Sequence, residues 1–278
     1  MLFSYPPPAD GTFAKPLWRD RIWPLAAICV VAGTAWLYLA VTAAHMGGMS
    51  STGMPTAAMA TAPVQWSVMD WAAMLTMWWV MMVAMMLPSA TQIILVFSTV
   101  NRKRRDRGAS SVATVIFGSG YLIAWGGFSV VATAAQWGLE QAALLTPMMA
   151  SGSSVFGGIL LIAAGIYQFT PLKHACLHHC RSPFDFVLNR WREGKGGALA
   201  MGIEHGLFCL GCCWVMMALL FVFGVMNLLW IATLSVLVLI EKAMPGGPWI
   251  ARAGGVAMLA VGSVLLMAPE IFDALPLS

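Results

Sequence analysis

Residues 68–99 read VMDWAAMLTMWWVMMVAMMLPSATQIILVFST, and the chain then runs on as VNRKRRDR through position 107. Thirty-two residues pass without a basic side chain and with a single acid, Asp70. A helix rises about 1.5 Å per residue, so roughly 20 such residues already cross the ~30 Å hydrocarbon core of a bilayer. The basic cluster that closes the run has the composition of a cytoplasmic helix end. Lipid offers backbone groups no partner, and the run is too long and uniformly apolar for the alternation of a barrel strand, so a helix follows. Pro88 stands near the cytoplasmic end of this helix and should kink it.

Working outward, further apolar runs lie at 22–44, 111–134, 153–170, 198–221, 226–243 and 250–268. The expected fold class is all-α, a polytopic membrane helix bundle of about seven transmembrane helices. Composition agrees: of 278 residues 60% are apolar and 9% are charged, against about 25% charged in a soluble domain. A soluble fold is excluded, and the lipid bilayer is the first partner.

Orientation follows from the 15 Lys and Arg. Lys15, Arg19 and Arg21 precede the first run, Arg102, Lys103, Arg104, Arg105 and Arg107 follow the second, and Lys173, Arg181, Arg190, Arg192 and Lys195 separate the fourth from the fifth. Lys242 and Arg252 border the link between the last two. The alternate connections at 45–67, 135–152 and 222–225, and the tail from 269, hold none. By the positive-inside rule the N-terminus is cytoplasmic and the C-terminus external. The expected organisation is a cytoplasmic segment 1–21, one transmembrane helical domain 22–268 and a short external tail 269–278. The net charge of +4 tracks this topology and forms no basic stripe, so nucleic acid is not expected as a partner. Pro6, Pro7 and Pro8 break the N-terminus, which lacks the apolar core of a cleavable signal, so the first span does the targeting, to a bacterial inner membrane. The tryptophans Trp18, Trp23, Trp66, Trp71 and Trp249 stand near span ends, where indoles anchor at the interface.

Six cysteines carry the chemistry. None falls in an external loop on this topology: Cys29, Cys209, Cys212 and Cys213 lie within spans, and Cys176 and Cys180 lie in a cytoplasmic connection. No disulfide framework is expected there. Closely spaced cysteine and histidine in a reducing compartment read instead as ligands for soft ions, copper(I) first and zinc second. One cluster is KHACLHHC at 173–180, where a helix would bring Cys176, His179 and Cys180 to one side. A second is MGIEHGLFCLGCCW at 201–214, where His205, Cys209, Cys212 and Cys213 share a helix face with Met201 and Met216. Buried cysteine also serves as plain packing, but Glu204 and His205 are ionisable groups inside a span, which usually face a cavity or a partner. Ala198, Gly202 and Gly206 form a row of small residues beside that face, so a neighbouring helix can approach closely enough to share a site.

Methionine is a third feature, with 21 residues concentrated in 68–99 and in the external loop before it. Apolar filling accounts for those of the helix. In the loop, His45, Met46, Met49, Met54 and Met59 stand among small polar residues, and thioethers there are copper(I) ligands that survive an oxidising compartment.

The strings MMVAMMLPSA (81–90), YQFTPLKHACLHHCRSP (167–183), GLFCLGCCW (206–214) and GVMNLLW (224–230), with the Glu241–Lys242 pair, resemble those of a bacterial membrane family labelled domain of unknown function 2182, described as predicted metal-binding integral membrane proteins. The resemblance covers most of 68–243. It implies metal binding, with Cys176 and Cys180 matching the family's paired-cysteine loop and Cys209, Cys212 and Cys213 its intramembrane trio.

The expectation is an inner-membrane metal-binding protein that handles copper(I), by binding, delivery or passage, at a Cys/His site near the cytoplasmic face. The site residues are Cys176, His179, Cys180, Glu204, His205, Cys209, Cys212 and Cys213, with Glu204 orienting His205. A soluble or membrane metal-handling partner would receive the ion. The alternatives are a membrane-bound oxidoreductase using a metal or the vicinal thiols, and an assembly or scaffold subunit. No GxxxxGK[ST] motif is present, which argues against an ATP-driven pump.

Overall fold

The computed structural model describes residues 18–50, 65–106, 108, 112–146, 149 and 152–268. Among them the protein is all-α, with α1 Trp18–Ser50, α2 Val68–Asp106, α3 Thr114–Gln141, α4 Ser154–Gln168, α5 Pro171–Arg181, α6 Pro183–Asn189, α7 Gly194–Ala218, α8 Leu220–Phe223, α9 Leu228–Ala243 and α10 Gly247–Met267. Each apolar run finds a helix. Five stretches among the described residues are long and apolar enough to cross a membrane: Ile22–His45, Val68–Asp106, Thr114–Gln141, Gly194–Phe223 and Gly247–Met267. The pair α4 and α5, bent by 63°, would make a sixth. The helix α4 has 15 residues and α9 has 16, and at roughly 22 and 24 Å each falls short of a ~30 Å core. The segments 1–17 and 269–278 and the methionine loop around 46–59 lie outside the residues whose side chains are described.

Local chemistry sets the breaks. Thr170 caps α5 by accepting from Lys173 N at 3.3 Å, and Pro171 at its first turn cannot continue α4, so the chain turns there. Asn227 caps α9 by accepting from Leu229 N at 3.1 Å, after Gly224 takes a φ of +95° that a side chain would resist. Ser67 and Asp70 open α2 as a reciprocal capping box, with Asp70 Oδ2 accepting from Ser67 N at 2.8 Å and Ser67 Oγ from Asp70 N at 3.3 Å.

Long α2 is the centre, packed by α1, α3, α6 and α9. It runs through Pro88 without interruption. A proline has no N–H for the carbonyl four residues back, which is Ala84. Trp36 of α1 donates to that carbonyl at 3.2 Å, Ser235 of α9 to the Met85 carbonyl at 3.3 Å, and Tyr121 of α3 to the Met86 carbonyl at 3.1 Å. Three helices are thus pinned around the carbonyls just before the proline.

Glycines set the closest crossings. A Cβ on Gly120 or Gly202 would collide with the backbone of the facing helix, and one on Gly206 would meet Ala124 at 2.6 Å, so α3 lies directly on α7. This is the close approach expected of the row Ala198, Gly202 and Gly206. Gly158 and Gly165 of α4 meet Gly262 and Gly255 of α10 in the same way, running antiparallel. Large apolar side chains such as Leu37, Val130 and Val256 face outward, as a lipid-covered surface requires.

Candidate metal centre

Apart from Lys173 at the start of α5, the described Lys and Arg collect where α2, α5 and α9 end and α3, α7 and α10 begin, and the cysteine cluster lies toward the same end. Bent by 63° from α4, α5 lies along α7, where Cys176 Sγ would be 2.7 Å from a Cβ on Gly211; only glycine admits the approach. The Tyr167 hydroxyl donates to the Gly211 carbonyl beside it. One turn on, Cys180 Sγ of α5 stands 4.0 Å from Cys212 Sγ of α7. Cys212 and Cys213 each donate their S–H to the Cys209 carbonyl, at 3.0 and 2.9 Å. Cys213 turns to α2, with Met86 Sδ at 3.9 Å.

Cys209 lines the same cleft as Cys180. Its sulfur lies 3.0 Å from the Tyr121 hydroxyl and accepts from Lys242 Nζ at 2.9 Å. Lys242 also donates to Ser89 Oγ at 3.3 Å. Ser89, Tyr121, Cys180, His205, Cys209 and Lys242 line one cleft. His205 is 4% exposed, boxed by Phe186 at 5.2 Å and Tyr121 at 6.2 Å between ring centroids, and its Nδ1 has no hydrogen-bond partner among the described residues. A buried polar nitrogen without a partner is costly, and here it belongs to a group able to ligate.

Behind the thiols sits a buried ion pair. Lys173 Nζ lies 2.8 Å from Glu241 Oε2, with side chains 1% and 3% exposed, and also donates to Gln168 and toward Met216 Sδ at 3.9 Å. Arg181 donates to the Glu241 carbonyl at 2.9 Å and the Pro245 carbonyl at 3.1 Å, tying the end of α5 to the end of α9.

Two expectations need correction. Glu204 does not orient His205; its oxygens are taken by Arg190 and by Arg192 at 3.3 Å, because α6 and the turn after it bring those arginines over the start of α7. Lys173 and Lys242, counted among the loop charges that set topology, point inward, held by Glu241 and by Cys209. His179 packs its ring edge-on against Phe208, 4.3 Å between centroids. Tyr121, Ser89 and Lys242 are residues of the cleft that the sequence reading missed. The Glu241–Lys242 pair at a span end was the available signal for the lysine, since a charge there need not face water.

Among the described residues, no group of three or more His, Cys, Asp or Glu already stands in metal-holding geometry. The structure does supply a thiol pair drawn from two helices, a third thiol and an imidazole on a shared cleft, and an ammonium. Two sulfurs each ~2.3 Å from one ion and 120° apart would be ~4.0 Å from each other, which is the spacing of Cys180 and Cys212. Thiol, thioether and imidazole together form a soft donor set, better suited to copper(I) than to a hard cation.

The fold and cleft define a polytopic, membrane-suited helix bundle with an interior cysteine cluster. The chain belongs to the PpoB2 family, described as a copper chaperone, whose model matches residues 75–265. That match supports the metal-related membrane family read from the motifs, and copper in particular, without carrying the domain of unknown function 2182 label. No curated protein and no solved structure matches the chain. Family and apolar helices together fit a membrane protein that handles copper.

Proposed function

We propose that this protein is a multi-pass chaperone of the bacterial plasma membrane that holds copper(I) between α5 and α7 near the cytoplasmic face and passes it to a protein acceptor. Cys180 and Cys212 form the primary pair, Cys209 and His205 complete the shell from the same cleft, and Cys176 and Cys213 stand by as exchange thiols. The observation that carries this reading is the 4.0 Å between Cys180 and Cys212, on helices brought together where α5 bends by 63° from α4 at Thr170–Pro171. Binding converts thiols to thiolates and releases their protons. Thiolates around a monovalent ion leave net negative charge, part of which the Lys242 ammonium beside Cys209 offsets where lipid and protein exclude water. Delivery uses the thiol excess: an incoming donor takes the ion stepwise while a spare cysteine keeps one sulfur on it.

X-ray absorption on anaerobically copper(I)-loaded protein is the test. A first shell of two or three sulfurs at ~2.3 Å, losing sulfur in Cys212→Ser, is expected. A shell of oxygen and nitrogen alone would overturn the proposal.

A further inference from the structure

At the opposite end of the bundle, where α2 begins and α3 ends, a second group of soft ligands converges on one point. Gln136 of α3 is fully buried, and its amide nitrogen lies 2.9 Å from Glu140 Oε1, 3.4 Å from Met149 Sδ and 3.7 Å from Met74 Sδ. Its amide oxygen accepts from buried Trp78 Nε1 at 2.7 Å, which fixes which end of the amide faces the sulfurs. Trp66 Nε1 donates to the other Glu140 oxygen at 2.9 Å. An amide NH2 has two hydrogens and here meets three acceptors, two of them thioethers, which are weak acceptors but good ligands for soft ions. Met149 reaches this point from a backbone φ of +57°, rare for a residue with a side chain, held by its N–H to the Thr146 carbonyl at 2.8 Å. No Lys or Arg stands in the sequence between Arg107 and Lys173, so the stretch that supplies Gln136, Glu140 and Met149 contains no cation of its own.

We infer that Met74, Met149 and Glu140 form a second, separate site for a soft monovalent cation, with the Gln136 amide occupying the ion's place until it is displaced. The inference rests on the copper reading of the thiol cleft for its ion, copper(I), but not for its geometry. Two neutral sulfurs supply softness and the carboxylate supplies the charge that a thioether pair lacks. A thioether site has no thiol to lose to oxidation, which suits the end of the bundle away from the thiols. Met74 and Met86 are roughly 18 Å apart along α2 by helical rise. Met77, Met81 and Met85 lie buried on the helix between them.

The test uses silver(I), a soft monovalent probe, on the full-length protein in detergent with its methionine methyl groups isotopically labelled. With all six cysteines, Cys29 included, changed to serine, one silver equivalent should remain, with shifts confined to the Met74 and Met149 methyl signals. The Met74→Leu, Met149→Leu double variant should lose that equivalent, and Glu140→Gln should weaken it. In the native cysteine background the double variant should bind one equivalent fewer while keeping the thiol-bound silver, which also reports that it folds. Equal stoichiometry in native and double-variant proteins would overturn the site, as would the absence of any silver in the cysteine-free protein. A cysteine-containing chain that takes silver only at the methionines would refute the thiol reading and leave this one standing.

Discussion

Lys242 Nζ lies 2.9 Å from Cys209 Sγ in the interior of the bundle, joining the last turn of α9 to the middle of α7. An ammonium withdrawn from water needs an anion, and a thiolate two helices away supplies one only when the site is built. Lys242→Met keeps length and removes charge. Copper(I) affinity should fall about 10- to 100-fold, the usual effect of losing a group that supports a metal shell, while the number of ions bound at saturation stays the same. Competition against a chelator of known affinity measures it. Unchanged affinity would mean that the lysine only packs.

The buried pair Lys173–Glu241 behaves differently, because it touches no thiol of the proposed primary pair. Removing one partner strands a charge, at about 3–5 kcal/mol. Lys173→Met should therefore lower the unfolding temperature in detergent far more than Lys173→Met with Glu241→Leu, which removes both charges. A double variant as unstable as the single would show that the pair stabilises by more than mutual neutralisation.

Gly202 holds α3 against α7 and so places Tyr121 beside Cys209. A methyl group there forces the backbones apart, at about 1–3 kcal/mol. Gly202→Ala should lose stability and copper(I) affinity together. Gly196→Ala, where a Cβ meets nothing within 4 Å, should change neither.

Much of this architecture was legible in the sequence. Apolar runs announce helices because a bilayer demands them, and the small row at Ala198, Gly202 and Gly206 announces a close neighbour because only small residues permit one. Thr170–Pro171 carried a cap-and-break signal, yet 153–170 followed by polar residues reads as a span and its loop, so the packing of a bent α5 along α7 was not evident. Charges were least legible. Lys173 and Glu241 are 68 positions apart, and no local pattern distinguishes a lysine facing water from one facing a distant carboxylate or thiol. Glu204 was misjudged for the same reason: its neighbour in sequence is His205, but α6 brings Arg190 and Arg192 to it in space.

The gathering of described basic side chains at one end of the bundle predicts its orientation, with that end cytoplasmic. Alkaline phosphatase fused after Asp106 should be inactive and fused after Ala268 active. The reverse pattern would place the thiol cleft outside the cell and undo the delivery direction proposed above.

The central claim is that α5 and α7 share one copper(I) site. Bound copper per chain should be measured after anaerobic loading in Cys180→Ser, in Cys212→Ser and in the double variant. Groups acting as one unit are non-additive, so either substitution alone should remove most of the ion held in the cleft, and combining them should add little. If each single variant loses about half and the double loses all, the two helices bind separate ions and the shared site does not exist.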